Sequence, residues 1–342
     1  MTEREVVIQT SFIGDTVLTT PLLAALAKRT KVDVVVAPRS APLLANHPAI
    51  GNVIVYDKAG RDGGVAGFLR MTRQLRERRY AAAYLAQGSM RSAALALAAG
   101  IGTRIGFETS AGRRLYTKRV PYIENEHHAS RLLRLAGATT NAAQPHPRLY
   151  PGEAERAAVD ALLHDVGATN EPFIALAPGS IWATKRWPFY AELVAQLDGR
   201  VAIVGAAADR ELAALIIETA GARAFDATGK LSLLASAELI GRSAAIVTND
   251  SAPLHLASAM NTPTVAIFGP TVPEFGFGPL ASRSAVLGLT SLACRPCDRH
   301  GPQRCPLGHW RCMREITPRQ VALALQELLA PSPPPTSRPE HG

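Results

Sequence analysis

Short apolar runs alternate along the chain with longer segments of helical character. In the first half the runs are EVVIQTS, VDVVVA, NVIVYD, AAAYLA and TRIGF. Between them lie PLLAALAKRT, SAPLLANHP, GFLRMTRQLRERR and SMRSAALALAAG. This alternation predicts βαβ units and a parallel sheet. A helical segment, EHHASRLLRLAGA, is followed by TTNAAQPHPRLYPGE, whose Pro, Asn and Thr content predicts a linker. The pattern then restarts, with FIALAPG, VAIVGA, RAFDATG, AAIVTND and PTVAIFGPT as strands and PFYAELVAQL, DRELAALIIETAG, LSLLASAELIG and SAPLHLASAM as helices. The expected fold is α/β, with two doubly wound domains at 1–150 and 151–330 facing a cleft. The tail 331–342, PSPPPTSRPEHG, has almost nothing apolar to bury and is expected to be disordered. In such sheets ligands sit beyond the carboxyl ends of the strands, so the loops after strands carry the candidate chemistry.

The first of these loops lies in QTSFIGDTVLTTPLL, read as a strand, a glycine turn and a helix. Its Asp15 is either a helix cap or a base facing the cleft. In the second half, APGSIWATKRWP offers Ser180 and Thr184 as hydroxyls, and Lys185 as a point charge suited to phosphate oxygens. VTNDSAPLHLASAM sets Asp250, Ser251 and Ala252 at a helix start, where free N–H groups favour a diphosphate. Asp250 would equally serve as a cap, and His255 alone reads as a core histidine. IFGPTVP adds a rim loop with Thr271. Asp209 and Glu211, after VAIVGA, lie near a helix start, and one of them could grip a ribose hydroxyl.

Length and charge sharpen this picture. A chain of 342 residues that is 47% hydrophobic suits two cores. No apolar run reaches membrane-span length, and MTEREVVIQTSF is no secretory signal, so a soluble cytoplasmic protein is expected. Residues 1–150 hold 21 Lys+Arg against 10 Asp+Glu, net +11, and the remainder hold 16 against 18, net −2. A basic first half beside a near-neutral second half points to an anionic partner for the first. Residues 58–79 alone carry seven Lys/Arg and two acids. A nucleic-acid-binding module with a zinc cluster is the alternative outside enzymes. It lacks interleaved aromatics, which form only 6% of the chain. A dinucleotide-dependent dehydrogenase is disfavoured because no G-x-G-x-x-G follows the first strand. Cys294, Cys297, Cys305 and Cys312 lie in CRPCDRHGPQRCPLGHWRC. In a reducing compartment such a cluster suggests a structural zinc site held by the four thiolates.

SFIGDTVLTTPLL, MRSAALALAAGIGTRIGF, PGSIWATKRWP and TNDSAPLHLASAMNTPTVAIFGPT follow one another in this order. The ordered set resembles the ADP-heptose:lipopolysaccharide heptosyltransferases of glycosyltransferase family 9, nearest their type II branch. The resemblance runs from about residue 5 to about 330. It implies the GT-B fold, with two Rossmann-like domains around the cleft, and inverting transfer that needs no cofactor for chemistry. It implies that Asp15 is the base that takes the proton of the acceptor hydroxyl. The donor, ADP-heptose, would meet Ser180, Thr184, Lys185, Glu211, Asp250, Ser251, Ala252 and His255. Lys185, Ser251 and nearby amides would stabilise the departing ADP. The acceptor, the anionic heptosyl-Kdo2-lipid A core at the cytoplasmic face of the inner membrane, would meet Gly14, Thr16, Arg61, Ser89 and Arg91. A heptosyltransferase I-like acceptor or a protein acceptor remains open at this stage, as does the oligomeric state. A sugar-nucleotide epimerase would need an acid/base pair at the donor ring, and no clear pair is seen.

Overall fold

The computed structural model describes residues 4–138 and 145–330. Six strands, β1 (Glu5–Gln9), β2 (Val32–Val36), β3 (Ile50–Val55), β4 (Ala82–Leu85), β5 (Thr103–Phe107) and β6 (Lys118–Val120), form a parallel sheet in the order β3-β2-β1-β4-β5-β6. A second parallel sheet contains β7 (Phe173–Ala177), β8 (Arg200–Ile203), β9 (Ala224–Asp226), β10 (Ala245–Asn249), β11 (Thr264–Ile267) and β12 (Ser284–Leu287), in the order β12-β11-β10-β7-β8-β9. Read from its other edge, the second order repeats the first. The expected α/β architecture of two Rossmann-like halves is present. The central strands bury every residue of VVI in β1 and of ALA in β7, because helices cover both faces of each sheet.

The helices are α1 (Ile13–Leu26), α2 (Gly64–Glu77), α3 (Met90–Ala98), α4 (His128–Leu135), α5 (Glu153–Asp165), α6 (Tyr190–Val194), α7 (Arg210–Ala220), α8 (Leu233–Arg242), α9 (Ala252–Met260), α10 (Arg311–Arg314) and α11 (Pro318–Leu329). Besides the two edge strands β6 and β12, three features differ from expectation. First, α1 begins at Ile13 rather than near Pro21, so Gly14 and Asp15 sit in its first turn. Pro21 is tolerated inside the helix because the Thr20 hydroxyl bonds the Val17 carbonyl that Pro21 cannot. Second, SAPLLANHP gives a 3₁₀ stretch, Pro38–Leu44, in place of an α-helix. Third, a helix that the sequence pattern did not predict, α5, fills the stretch between the linker and β7. Glu155 accepts the Gly152 N–H at 2.7 Å, which caps the first turn from within the helix. Of the expected linker, 139–144 lies outside the described residues, as does the tail 331–342.

The two halves share an apolar core. Val17, Leu18 and Leu22 of α1 belong to one buried cluster with Leu256 and Ala257 of α9, and α1 packs against both α4 and α9. Arg131 of α4 reinforces the joint. Its side chain is almost wholly buried, and it donates to the carbonyls of Ile123, Glu124 and Phe275 and to the Tyr122 hydroxyl. Phe275 belongs to the second half, so this guanidinium bonds both. The joint brings the starts of α1 and α9, and hence the carboxyl ends of β1 and β10, to one place.

Candidate active site

The neighbours β1 and β4, and β7 and β10, are the points where strand order reverses in each sheet. A crevice opens at such a point beyond the carboxyl ends. The loops after these four strands carry most of the expected site residues.

On the second-half side, Lys185 Nζ lies 2.6 Å from Asp250 Oδ2, and the Thr271 hydroxyl donates to the same oxygen at 2.7 Å. Lys185 and Asp250 are only 7% and 8% exposed, so each needs the other's charge. Asp250 is therefore an ion-pair partner and not the cap of α9; Ser251 holds the cap position without a side-chain capping bond. The first N–H groups of α9 near Ser251 and Ala252 are left for a ligand, apart from Pro253, which has none. Ser180 accepts the Trp182 N–H at 3.2 Å. The Thr184 hydroxyl is engaged by the Pro302 carbonyl, which makes it a brace of this loop rather than a free donor. Asp209 closes against Gly179 and Gly205 and accepts the Ala206 N–H at 2.9 Å, whereas Glu211 stands exposed on α7. Of these two acids, Asp209 is the one turned to the crevice.

Asn249 is a site residue that sequence reasoning passed over. Fully buried, it donates to the Pro178 carbonyl at 2.9 Å and accepts from Trp187 N–H at 3.2 Å, tying both ends of the Lys185 loop to β10. Its signal was the buried amide closing an otherwise mostly apolar strand in AAIVTND.

On the first-half side, Asp15 Oδ2 accepts the Phe12 N–H at 3.3 Å, and Oδ1 faces His128 Nε2 at 3.9 Å. So the acid does cap its helix, yet one oxygen is left toward the cleft. Gly14 abuts the His255 ring of α9: a Cβ there would stand 2.5 Å from His255 Cδ2. His255 is buried, its Nδ1 has no partner among the described residues, and it feels the charges of Asp250, Asp15 and Lys185. Burial holds its pKa below the usual histidine value. His255 is thus a wall between the base candidate and the cation rather than an isolated core histidine.

The other expected acceptor residues are placed unevenly. Thr16 is buried, and its hydroxyl bonds the Phe12 carbonyl at 3.3 Å, so it serves the helix. Ser89 caps α3, accepting the Ser92 N–H at 3.1 Å. Arg91 is occupied by Tyr56 Oη at 2.6 Å and by the carbonyls of Asp62 and Gly64. These bonds make it a brace of the loop before α2. Arg61 is exposed at the mouth of a cavity of about 370 Å³ lined by Val55, Asp62, Arg70, Met71 and Gln74. No residue of the Asp15 or Lys185 groups lines that cavity. Lys58, which the sequence reading did not single out, reaches the Thr10 hydroxyl at 3.3 Å, and Thr10 bonds Gln87 across the ends of β1 and β4. Burial and the Arg91 charge lower its pKa.

The four cysteines expected to hold zinc lie near one another in the segment after β12. All four thiols are free, and among the described residues no three His, Cys, Asp or Glu side chains converge as a metal-ligand group. Cys294 Sγ is 3.8 Å from His309 Nε2, Cys297 Sγ turns to the Cys294 carbonyl at 3.2 Å, and Cys312 is buried in the core of the second half. Burial pushes the Cys312 thiol up to about 11. The segment also props the Lys185 loop. Gln303 accepts the Ala183 N–H at 3.1 Å and donates to the Ile181 carbonyl at 2.8 Å. His300 stacks on Trp182 at 6.1 Å and reaches Phe12 of the first half at 5.8 Å. Arg295 bonds the carbonyls of Phe268, Gly269 and Thr271, fixing the loop that carries Thr271.

This geometry has close relatives. The pattern of glycosyltransferase family 9 (heptosyltransferase) matches residues 68–308. The chain belongs to glycosyltransferase family 9. This family 9 chain is 30% identical to lipopolysaccharide heptosyltransferase 2 of Escherichia coli K12, over 94% of its own length and 97% of that protein. It is 28% identical to lipopolysaccharide heptosyltransferase 1 of Pseudomonas aeruginosa, over 95% and 98%. The solved structure of E. coli ADP-heptose lps heptosyltransferase II superposes with a TM-score of 0.76 at 29% identity, covering 95% of this chain and 98% of that one. As a family 9 member the protein is a glycosyltransferase, and its two facing sheets form the GT-B fold.

Proposed function

We propose that this glycosyltransferase moves a heptosyl group from ADP-heptose to the inner core of lipopolysaccharide, on a heptosyl-Kdo2-lipid A acceptor, with inversion and without a divalent ion. The observation that carries the reading is the placement of one carboxylate oxygen of Asp15 and the Lys185–Asp250 pair at the reversal points of two facing sheets, with His255 between them. The acceptor hydroxyl attacks the anomeric carbon as its proton passes to Asp15. The new C–O bond forms as the bond from the anomeric carbon to the diphosphate oxygen breaks, and ADP leaves with the electron pair. Lys185 and the N–H groups at the start of α9 meet the charge that develops on that oxygen. One N–H of the Lys185 ammonium donates to Asp250, and its other two are offered to phosphate.

The net +11 of residues 1–150 suits a phosphate- and carboxylate-bearing acceptor at an anionic membrane surface. No helix among the described residues is long and apolar enough to cross a membrane. A heptose-free Kdo2-lipid A acceptor is a second reading, favoured by the likeness to the Pseudomonas aeruginosa heptosyltransferase 1.

Transfer from ADP-heptose to each acceptor, with EDTA present, tests both the reaction and the acceptor choice. Wild-type turnover on the heptosylated acceptor, with a loss of about 100-fold or more in folded Asp15→Asn, is expected. Full activity in Asp15→Asn reduces Asp15 to a helix cap and sinks the mechanism.

A further inference from the structure

The loop after β11 leaves the Thr271 region and crosses to the first half. There the Gly276 carbonyl accepts the His128 N–H at 2.7 Å, and the Gly278 carbonyl lies 3.1 Å from His127 Nε2. These bonds seat Phe277 against the His128 imidazole, with ring centroids 5.0 Å apart and planes inclined by 29°. On its other side the same imidazole faces the candidate base, Nε2 to Asp15 Oδ1 at 3.9 Å.

Four charged or titratable groups lie near this ring: Asp15 from α1, the adjacent His127, Arg131 from α4 itself and His255 from α9. Burial, aided by Arg131 and His255, outweighs the pull of Asp15 and lowers His128 to about 4, so it is neutral near pH 7. A neutral imidazole has one N–H. His128 Nδ1 is buried with no partner among the described residues, and a proton there would strand a donor. The proton therefore belongs on Nε2, the nitrogen that faces Asp15.

We propose that His128 is a positioning residue for Asp15: its Nε2–H donates to Oδ1, while the Phe12 N–H holds Oδ2, so that the carboxylate is aimed at the acceptor hydroxyl. The proposal rests on Asp15 being the base. The present separation is about 1 Å longer than a hydrogen bond, and catalytic contacts commonly tighten only with substrate bound. Phe277 comes from the second half, so the halves must be engaged for the base to be aimed.

The test uses the full-length protein, ADP-heptose and the lipid A-core acceptor. Gln at 128 places an amide nitrogen where Nε2 stands, Asn places it where Nδ1 stands, and Phe keeps the stack with no donor. His128→Phe and His128→Asn are expected to lose about 100-fold in kcat, the penalty of a misplaced group, with ADP affinity by calorimetry unchanged. His128→Gln is expected to recover most of that loss. Removing a donor disfavours a carboxylate's charged form, so the acid limb of kcat/KM moves to higher pH in the Phe and Asn variants. Wild-type kcat in His128→Phe, or a Gln variant no better than Asn, overturns the proposal. Should the Phe variant fail to fold, the Gln and Asn pair decides. Asp15→Asn in the same assay separates the two readings. An active Asp15→Asn removes the base itself, whereas an inactive one beside a fully active His128→Phe removes only the positioning role.

Discussion

Adding one methyl group at Gly14 tests whether the contact between the halves sets the geometry of the base. Gly14 is the second residue of α1, and in a helix Gly→Ala alone stabilises by about 0.5–1 kcal/mol. The structure reverses that sign. The added Cβ would stand 2.5 Å from His255 Cδ2 and 3.1 Å from Nε2. Carbon atoms pack at about 3.5–4.0 Å, so something must move by roughly 1 Å. His255 cannot readily yield, because it is 5% exposed and its ring meets Phe277 edge-on at 6.3 Å. The displacement falls on the first turn of α1, which carries Asp15. Overpacking of this kind costs about 1–3 kcal/mol of stability. A shift of about 1 Å in a catalytic group costs about 100-fold in rate, or about 2.7 kcal/mol of transition-state stabilisation. Steady-state transfer at saturating ADP-heptose reads the rate, and urea unfolding reads the stability. Gly14→Ala with near wild-type turnover and a raised urea midpoint would refute the reasoning. Gly14→Ala made in a His255→Ala background should add little further loss, because the clashing ring is gone.

Protonation gives a second expectation. Burial lowers His47, His127 and His128 to about 4 from 6.5, so the unfolded chain binds these protons more tightly than the folded one. Their contribution is complete above pH 6.5 and is lost as pH falls through about 4, at up to about 3 kcal/mol for each imidazole. Urea midpoints that stay flat across this window would count against the buried neutral rings. Lys185→Met strands the buried Asp250 carboxylate and should destabilise by about 3–5 kcal/mol, with Lys185→Met/Asp250→Leu recovering much of it in thermal melts while transfer stays abolished. His300→Ala removes the stack on Trp182, and ADP affinity measured by calorimetry should fall by about 3- to 10-fold with little change in melting temperature. Unchanged affinity would leave the cysteine segment without a part in holding the donor loop.

The strands could be read from the chain because parallel strands buried on both faces leave continuous apolar runs, as in EVVIQTS and AAIVTND. The edge strands β6 and β12 could not, since KRV and SAVL are short and partly exposed. The start of α1 was hidden by Gly14, Thr16 and Pro21, residues that favour turns in isolation and are held helical here by packing against α4 and α9. The individual loops of the site could be placed, because each follows a strand. Their partners could not. The Thr184–Pro302 bond spans 118 residues, and the Arg131–Phe275 bond spans 144. Neither leaves a periodic trace. The adjacent histidines of EHHASRLLRL were visible, but nothing local says that one of them meets Asp15.

The bonds of Arg131 have a bearing on ionic strength. Salt screens attractions between exposed charges over a length of about 8–10 Å near physiological ionic strength, and reaches buried groups much less. Arg131 is 2% exposed, and its hydrogen bonds end on neutral oxygens from both halves, three carbonyls and a phenol. Added electrolyte therefore finds no exposed pair to screen at this joint, while it does reach the arginine-rich surface between residues 58 and 79. A salt titration of the kinetics then separates the two surfaces. A KM for acceptor that climbs with potassium chloride, at constant kcat, reports charge attraction between protein and acceptor, with the two halves of the enzyme held together throughout.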